Sequence, residues 1–547
     1  MIEPKFISGP PGTGKTSKYI TAKYLELLDK FTYDKIIILS HTKVAAEEIR
    51  DEILKLKIVK EKGLTKKSFK HKICTIHSYC KNRGMSKELF DYKDHVNLCK
   101  DQEVGSYFKL QRIKEVEFEK HNFYKYLNDA FGQGKNLKDF WRSCDKLSYK
   151  PYTLNVIEKM QTAYINYKKD SRTLCCDYND MIQDFIEKSR EPEIDALIVD
   201  EAQDSNVKQL EALKKLSTNA KEYYMIGDAD QTIFEFAGAN SHYFHTLSKG
   251  AKQLEDGHRC GKTINDICKD TIKPIWDHYG YERIWRPANY PKGHVNEGLP
   301  IIGNHYHLPS LRRESTAMQA LLDKIKNTKE TFLFTYRGTP SDNWVKTFFK
   351  QNGIEFAHVG NTAYVPKKEL RCHKLWPDFS EGVPMPLQQI KDFWEYMGSK
   401  VIPRGSGEYD FKDWVKKDYT IYDLIKLKLL KETSIDEEDF TRIRIQRGKK
   451  EDYEKRILYI EKVLRKGFDL EGEVRVQYAN IHTVKGLTFD NVIVDLTATR
   501  IEDYFTQLRL KYVAYSRGRY DCWTIKSQGT YTLGQKNKLN RWVTLQI

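Results

Sequence analysis

No apolar stretch in the 547 residues approaches the ~20 needed to cross a bilayer, which argues against a helical membrane span. The first residues lack the basic, apolar, small-residue order of a signal peptide and enter an apolar run at once. The ten cysteines are scattered, Cys175 and Cys176 are adjacent, and no C-x-x-C pair occurs. Zinc and iron–sulfur sites need closely spaced ligands, so reduced thiols are expected instead. Short-period repeats and low-complexity tracts are missing too, which argues against a solenoid or a disordered chain. What remains has the composition of a globular protein, 40% hydrophobic and 31% charged. The expectation is a soluble, cytoplasmic chain of about three to four domains.

Negative charge is in deficit. The net charge is +16, and residues 51–100 hold 13 Lys or Arg against 6 Asp or Glu. Such a surface concentrates phosphate polyanions by counterion release, although Lys-rich surfaces also serve solubility.

Short apolar runs recur, and most end in a distinctive polar motif. They are KFISG (5–9), KIIILS (35–40), ALIVDE (196–201), YYMIGD (223–228), TFLFTY (331–336) and NVIVDL (491–496). Runs of this length separated by helical patterns predict buried parallel strands in an α/β fold, with ligands beyond their carboxyl ends. Two stretches without such motifs, about 84–170 and about 361–470, read as insertions, the first aromatic, basic and helical. In the second, Ile457, Ile460 and Leu464 recur at helical spacing, the pattern of a core stripe.

GPPGTGKT (9–16) has the spacing of a phosphate-binding loop between a strand and a helix. Gly9, Gly12 and Gly14 let the backbone wrap a phosphate, with Pro10, Pro11 and Thr13 completing the loop. Lys15 is placed to reach β- and γ-phosphates, and Thr16 to put its hydroxyl on Mg²⁺. SKYITAKYLELL, which follows, reads as a helix whose N-terminus faces the phosphates. In ALIVDEAQD (196–204), Asp200 can hold Mg²⁺ and Glu201 can orient and deprotonate the attacking water. Gln231 in MIGDADQTIF is placed to sense a γ-phosphate. The residues alone predict a Mg²⁺-dependent NTPase with an open output.

The order of motifs resembles the UvrD/Rep-like branch of superfamily 1 DNA helicases. After the phosphate loop come LSHTKVAAEEI (39–49), CTIHSYC (74–80), CDYNDMI (176–182), DEAQD and GDADQTIFEFAGA (227–239). LEDGHRC (254–260), NIHTVKGLTF (480–489) and LRLKYVAYSRGR (508–519) complete the series. The resemblance implies two RecA-like P-loop domains with parallel sheets, each carrying a mainly helical inserted subdomain. The implied boundaries are 1–83 with 171–250, an insertion at 84–170, then 251–360 with 471–547, and a reduced insertion at 361–470. It implies a 3′-to-5′ single-stranded DNA translocase and helicase, with ATP and Mg²⁺ in a cleft between the core domains. Single-stranded and partial duplex DNA are the implied partners, with replication or repair proteins besides. The free chain is expected to be a monomer without membrane association.

The resemblance also assigns residues. Arg517 matches an arginine finger and Arg259 a second γ-phosphate contact, both donated across the cleft. His41, Thr42, Thr75, His77, Phe234, Phe236 and His482 match the DNA track, where rings stack on bases and hydroxyls or imidazoles contact phosphates. For His77 and His482 the alternative is positioning of the motif loops.

The chain departs from the family pattern at several points. Only eight residues precede the phosphate loop in this sequence, so the upstream adenine-reading glutamine is expected to be missing, and adenine preference is expected to rest on His258. Ala237 stands where arginine is usual, Thr488 where glutamate is usual, and His41 where an aromatic ring is common. The 28 residues after Arg519 are too few for an appended nuclease domain, and a compact, phage-encoded version acting in a host cell fits the length. Two other outputs stay open: a nucleotide-switched DNA-binding or loading module with weak hydrolysis, and an RNA-directed motor of the same superfamily.

Overall fold

The computed structural model describes residues 2–84, 88–101, 103–108, 121–143, 152–170, 175–292, 294–311, 314–396, 418–430, 450–468, 470, 472–496 and 503–525. The chain divides into two compact units. One comprises Met1–Ile302 with Glu502–Ser516, the other Gly303–Ile501 with Arg517–Ile547. The parts of the 84–170 and 361–470 insertions that fall at 85–87, 102, 109–120, 144–151, 397–417, 431–449 and 469 lie outside the described residues.

The first unit is built on a six-stranded parallel sheet. In chain order its strands are β1 (Lys5–Ser8), β2 (Ile36–Ser40), β3 (Ile73–Thr75), β6 (Ala196–Val199), β7 (Glu222–Gly227) and β8 (Lys252–Gln253). Between β3 and β6 lies a small pair, β4 (Glu88–Leu89) with β5 (Cys175–Cys176). The spatial order of the large sheet is β3-β2-β6-β7-β1-β8.

Period-two alternation explains why the strands read as unbroken apolar runs. Ile36 and Ile38 pack on one face with Ile7, Ile198 and Ile226, under the helices Thr21–Leu28 and Lys43–Leu54. Ile37 and Leu39 pack on the other with Phe6, Leu197, Val199 and Met225, under the helices Tyr178–Lys188 and Val207–Leu216. The inner strands must therefore be apolar on both sides, whereas the edge strand β8 is polar.

The second unit repeats the plan with β9 (His305–Leu308), β10 (Phe332–Tyr336), β11 (Ala357–His358), β14 (Val476–Asn480), β15 (Asn491–Asp495) and β16 (Cys522–Ile525). The order is β11-β14-β10-β15-β16-β9, all pairs parallel. The short antiparallel pair β12 (Met385–Pro386) and β13 (Asp418–Tyr419) stands apart.

The described parts of the two insertions form their own cores. In the first, Phe90, Phe108, Phe123, Tyr124 and Tyr164 pack together from the helices Asn122–Gly132 and Leu154–Lys169 and their neighbours. In the second, Trp376, Phe379, Ile390, Phe393 and Leu424 do the same. The stripe Ile457, Ile460 and Leu464 is a core stripe, and its helix, Lys450–Lys466, packs on the second sheet beside Phe349 and Phe356 while its Arg456 pairs with Glu369 of the insertion's helix Lys367–Ser380. The first unit also extends past residue 250, because β8 pairs with β1 and the helix Lys262–Tyr279 packs on the helix Tyr504–Tyr515. Among the described residues no helix is long and apolar enough to cross a membrane.

Candidate functional site

Parallel strands deliver the motifs to one edge of the first sheet. The carboxyl end of β1 runs into Gly9–Thr16, that of β6 into Asp200 and Glu201, and that of β7 into Asp228 and Gln231. Gly9 N donates to Gly227 O at 3.0 Å, fixing the start of the loop to β7. Gly12 has φ 74°, and a Cβ there would lie 2.4 Å from the Arg259 Cβ, so only glycine lets LEDGHRC close over the loop.

The helix after the loop opens as a π-turn, Lys15–Ile20, with Tyr19 N donating to Gly14 O at 2.9 Å. This turn holds Lys15 and Thr16. Lys15 Nζ donates to Gly9 O at 2.8 Å and Pro10 O at 3.3 Å, so the ammonium lies folded into its own loop. Burial pushes its pKa below the ordinary range, against the pull of Glu201, Asp228 and Asp200.

Thr16 Oγ1 donates to Asp200 Oδ2 at 3.2 Å. Asp200 is buried, and its Oδ1 has no hydrogen-bond partner. Burial and the neighbouring Glu201 raise its carboxyl to about 7, with Lys15 and Thr16 opposing. An orphaned buried carboxylate oxygen beside a hydroxyl is a donor set that suits a small divalent cation, which prefers hard oxygen ligands. Thr16 and Asp200 therefore fit Mg²⁺.

Glu201 sits in the left-handed region at φ 50°, where a non-glycine residue stores backbone strain. Gln203 Nε2 donates to Glu201 Oε2 at 2.6 Å, while Gln203 Oε1 accepts from Asp228 N at 3.0 Å. A Cβ at Gly227 would fall 2.1 Å from that amide oxygen. One side chain thus ties the ends of β6 and β7 together and aims Glu201.

Gln231 Nε2 donates to Asp228 Oδ2 at 2.8 Å. Asp228 Oδ1 and Asp230 Oδ2 both accept from Arg283 Nη1, at 2.5 and 2.7 Å, and Trp276 Nε1 donates to Asp230 Oδ2 at 2.8 Å. Tyr512 OH donates to Asp228 Oδ2 at 3.2 Å. Burial favours neutral Asp228, but the charges of Arg283 and Lys15 and the hydrogen bonds from Arg283 and Gln231 together hold this carboxyl below its ordinary range. Burial lifts Asp230 to about 6 despite Arg283. Gln203, Asp228, Trp276, Arg283 and Tyr512 join the site only in the folded chain. The signals for the first two, the Gln of DEAQD and the Asp of GDADQ, lay inside motifs already recognised.

His258 N donates to Gly12 O at 2.7 Å, and its Nε2 lies 3.1 Å from Lys18 Nζ. Its ring is exposed beside the loop, and burial and Lys18 lower its pKa. Arg259 belongs to the same compact unit as the loop, so of the two arginines expected from across a cleft, only Arg517 is on the other unit. There Arg517 Nη1 donates to Leu487 O at 3.3 Å.

The proposed DNA residues of the first unit share the sheet edge with the nucleotide loop, following β2, β3 and β7. His41 Nε2 is 3.0 Å from Ser205 Oγ. Thr42 and Thr75 accept from Ala45 N and Ser78 N, each at the start of a helix. His77 lies edge-on to the Tyr178 ring at 5.4 Å. Phe234 and Phe236 have centroids 6.0 Å apart, and Phe236 is 43% exposed, enough of a ring face to stack on. Ala237 brings no charge here. The charge of this segment is Glu235, between the two rings. His482 follows β14 in the second unit.

Comparison with known proteins converges on one family. Residues 2–252 match the UvrD/REP helicase N-terminal domain. The "ATP-dependent DNA helicase PcrA" of Staphylococcus aureus is 22% identical over 393 residues, 67% of this chain and 50% of that protein. The "Probable DNA helicase II homolog" of Mycoplasma capricolum is 26% identical over 303 residues, 50% of this chain and 39% of the relative. The "ATP-dependent DNA helicase Rep" of Buchnera aphidicola is 29% identical over 262 residues, 44% of this chain and 37% of the relative. The aligned part thus spans half or less of each of these relatives.

Proposed function

From the match of residues 2–252 to the UvrD/REP helicase N-terminal domain, we propose that the chain is a helicase of that family, an ATP-dependent motor moving 3′ to 5′ along single-stranded DNA and separating duplexes. The observation that carries the reading is the Thr16–Asp200 pair, with an orphaned carboxylate oxygen, beside Lys15 and a strained Glu201.

ATP is the substrate. Lys15 exchanges the carbonyls of Gly9 and Pro10 for β- and γ-phosphate oxygens, which costs little because its charge is already desolvated. Glu201, held by Gln203, accepts the proton of the attacking water as the new bond to the γ-phosphorus forms and the bond to the bridging β–γ oxygen breaks. Thr16 and Asp200 would hold Mg²⁺, which supplies charge neutralisation on the phosphate oxygens. The Gln231 amide, anchored on Asp228, orients toward the γ-phosphate. Phe234 and Phe236, three and five residues further on, offer stacking faces that accept any base.

The test is ATP turnover with and without a single-stranded DNA oligonucleotide and its RNA counterpart. Strong stimulation by DNA is expected. Turnover that ignores DNA contradicts the proposal, and preferential stimulation by RNA replaces its substrate.

A further inference from the structure

Three polar side chains of one helix face converge on the segment 228–236. From the helix Tyr504–Tyr515, Thr506 Oγ1 donates to Glu235 Oε2 at 2.9 Å and Arg509 Nη1 donates to the same oxygen at 2.6 Å. Tyr512 OH reaches Asp228 Oδ2. Spacings of three residues put all three on one side of the helix. Arg509 is buried, so its charge needs this partner, and Ser241 Oγ donates to the other Glu235 oxygen.

The segment so held contains both halves of the proposed coupling. Gln231 is bonded at one end to Asp228, and Phe234 and Phe236 flank Glu235 at the other. Asp228 and Glu235 are therefore two anchor points, one beside the nucleotide residue and one between the rings. Both are gripped by the same rigid element. Arg283 braces the first anchor together with Asp230, which Trp276 also holds.

We propose that Thr506, Arg509 and Tyr512 are positioning residues that fix residues 228–236 in register, so that a change at the Gln231 amide is passed to the Phe234–Phe236 pair. None of the three touches nucleotide or DNA in this proposal. It rests on the reading above, that ATP turnover is stimulated by single-stranded DNA. Without the Arg509–Glu235 bond the anchor between the rings loses its charged tie to the helix and keeps the neutral Thr506 hydroxyl, so the two ends are coupled more weakly.

The experiment compares wild type, Glu235→Gln, Arg509→Met and the double variant in the full chain. Each substitution removes charge and keeps volume. ATP turnover is measured without DNA and across a titration of oligo(dT), with thermal unfolding as a check on folding. The expected result is basal turnover within about twofold of wild type and stimulation by oligo(dT) reduced about tenfold in either single variant, the size expected for one charged hydrogen bond. The double variant should be no worse than the singles, because both lose the same bond. Arg509→Lys should restore part of the stimulation. Full stimulation in both single variants overturns the proposal, as does additive loss in the double or a parallel fall in basal turnover. If Arg509→Met fails to fold, Glu235→Gln alone decides by the same criteria. Wild type that ignores oligo(dT) instead overturns the underlying reading, and this failure shows in the wild-type titration alone.

Discussion

The Thr16 hydroxyl donates to the Asp200 carboxylate across 3.2 Å, joining the first turn after the phosphate loop to the end of β6. The two residues are 184 positions apart in sequence, and the parallel sheet brings them together by ending β1 and β6 at the same edge. Thr16→Ala removes the hydroxyl and should lower kcat for ATP roughly 10- to 100-fold, the worth of a bond to a charged group. Thr16→Ser should stay near wild type. A steady-state ATPase assay over a Mg²⁺ titration checks both, and an alanine variant with unchanged kcat and Mg²⁺ dependence removes Thr16 from the site.

Lys15 is the loop's one buried cation, and Glu201, Asp228 and Asp200 all favour its charge. Lys15→Ala should lower ATP turnover by roughly 100- to 1,000-fold, as for loss of one preorganised donor. Binding to single-stranded DNA should persist, since the proposed stacking faces lie elsewhere. Fluorescence anisotropy on a labelled oligonucleotide measures the second part.

Asp129 offers a pH test away from the chemistry. Burial raises its carboxyl from 3.8 to about 7, against the pull of Lys125, and its Oδ2 has no hydrogen-bond partner. Between those pH values the folded state keeps a proton that the unfolded chain has released. Stability therefore falls as pH rises from about 4 to 7 and stays reduced above. Asp129→Asn should raise the melting temperature at pH 8 relative to wild type and change it far less at pH 4, as differential scanning fluorimetry would show.

The first insertion meets the ring-bearing segment through two glycines. A Cβ on Gly132 would lie 2.2 Å from Ala237 O, and one on Gly238 would lie 2.3 Å from the Gly132 carbonyl. Gly238 also has φ 94°. Gly238→Ala should destabilise the fold by roughly 2–4 kcal/mol through strain and overpacking together, and Gly132→Ala by somewhat less. Urea unfolding would measure both. Oligonucleotide binding should weaken in whatever fraction remains folded, because Phe236 is displaced.

The strands were legible in sequence because parallel sheets bury both faces: KIIILS and ALIVDE could hardly be anything else. The proposed nucleotide residues stand out in sequence because such chemistry forces spacing, with glycines at φ above zero and the acidic pair at a strand end. Long-range polar partners were not. Arg283 in YERIW reads as one more surface cation, and only the folded chain buries it against Asp228 and Asp230. Glu201 gives no sign of its left-handed backbone in DEAQD. The helix Lys450–Lys466 displayed its apolar stripe but not its destination, since periodicity tells which face is buried and not against what. The aromatic composition of 84–170 did not say what its rings pack against, and the described ones fill a core of their own.

The central proposal is that ATP hydrolysis drives movement on DNA. The most direct measurement is ATP-dependent unwinding of two duplexes of equal length, one with a 3′ single-stranded tail and one with a 5′ tail. Unwinding is expected from the 3′ tail, none from the 5′ tail, and none from either with Lys15→Ala. Preference for the 5′ tail, or ATP hydrolysis without unwinding of either duplex, would contradict that proposal.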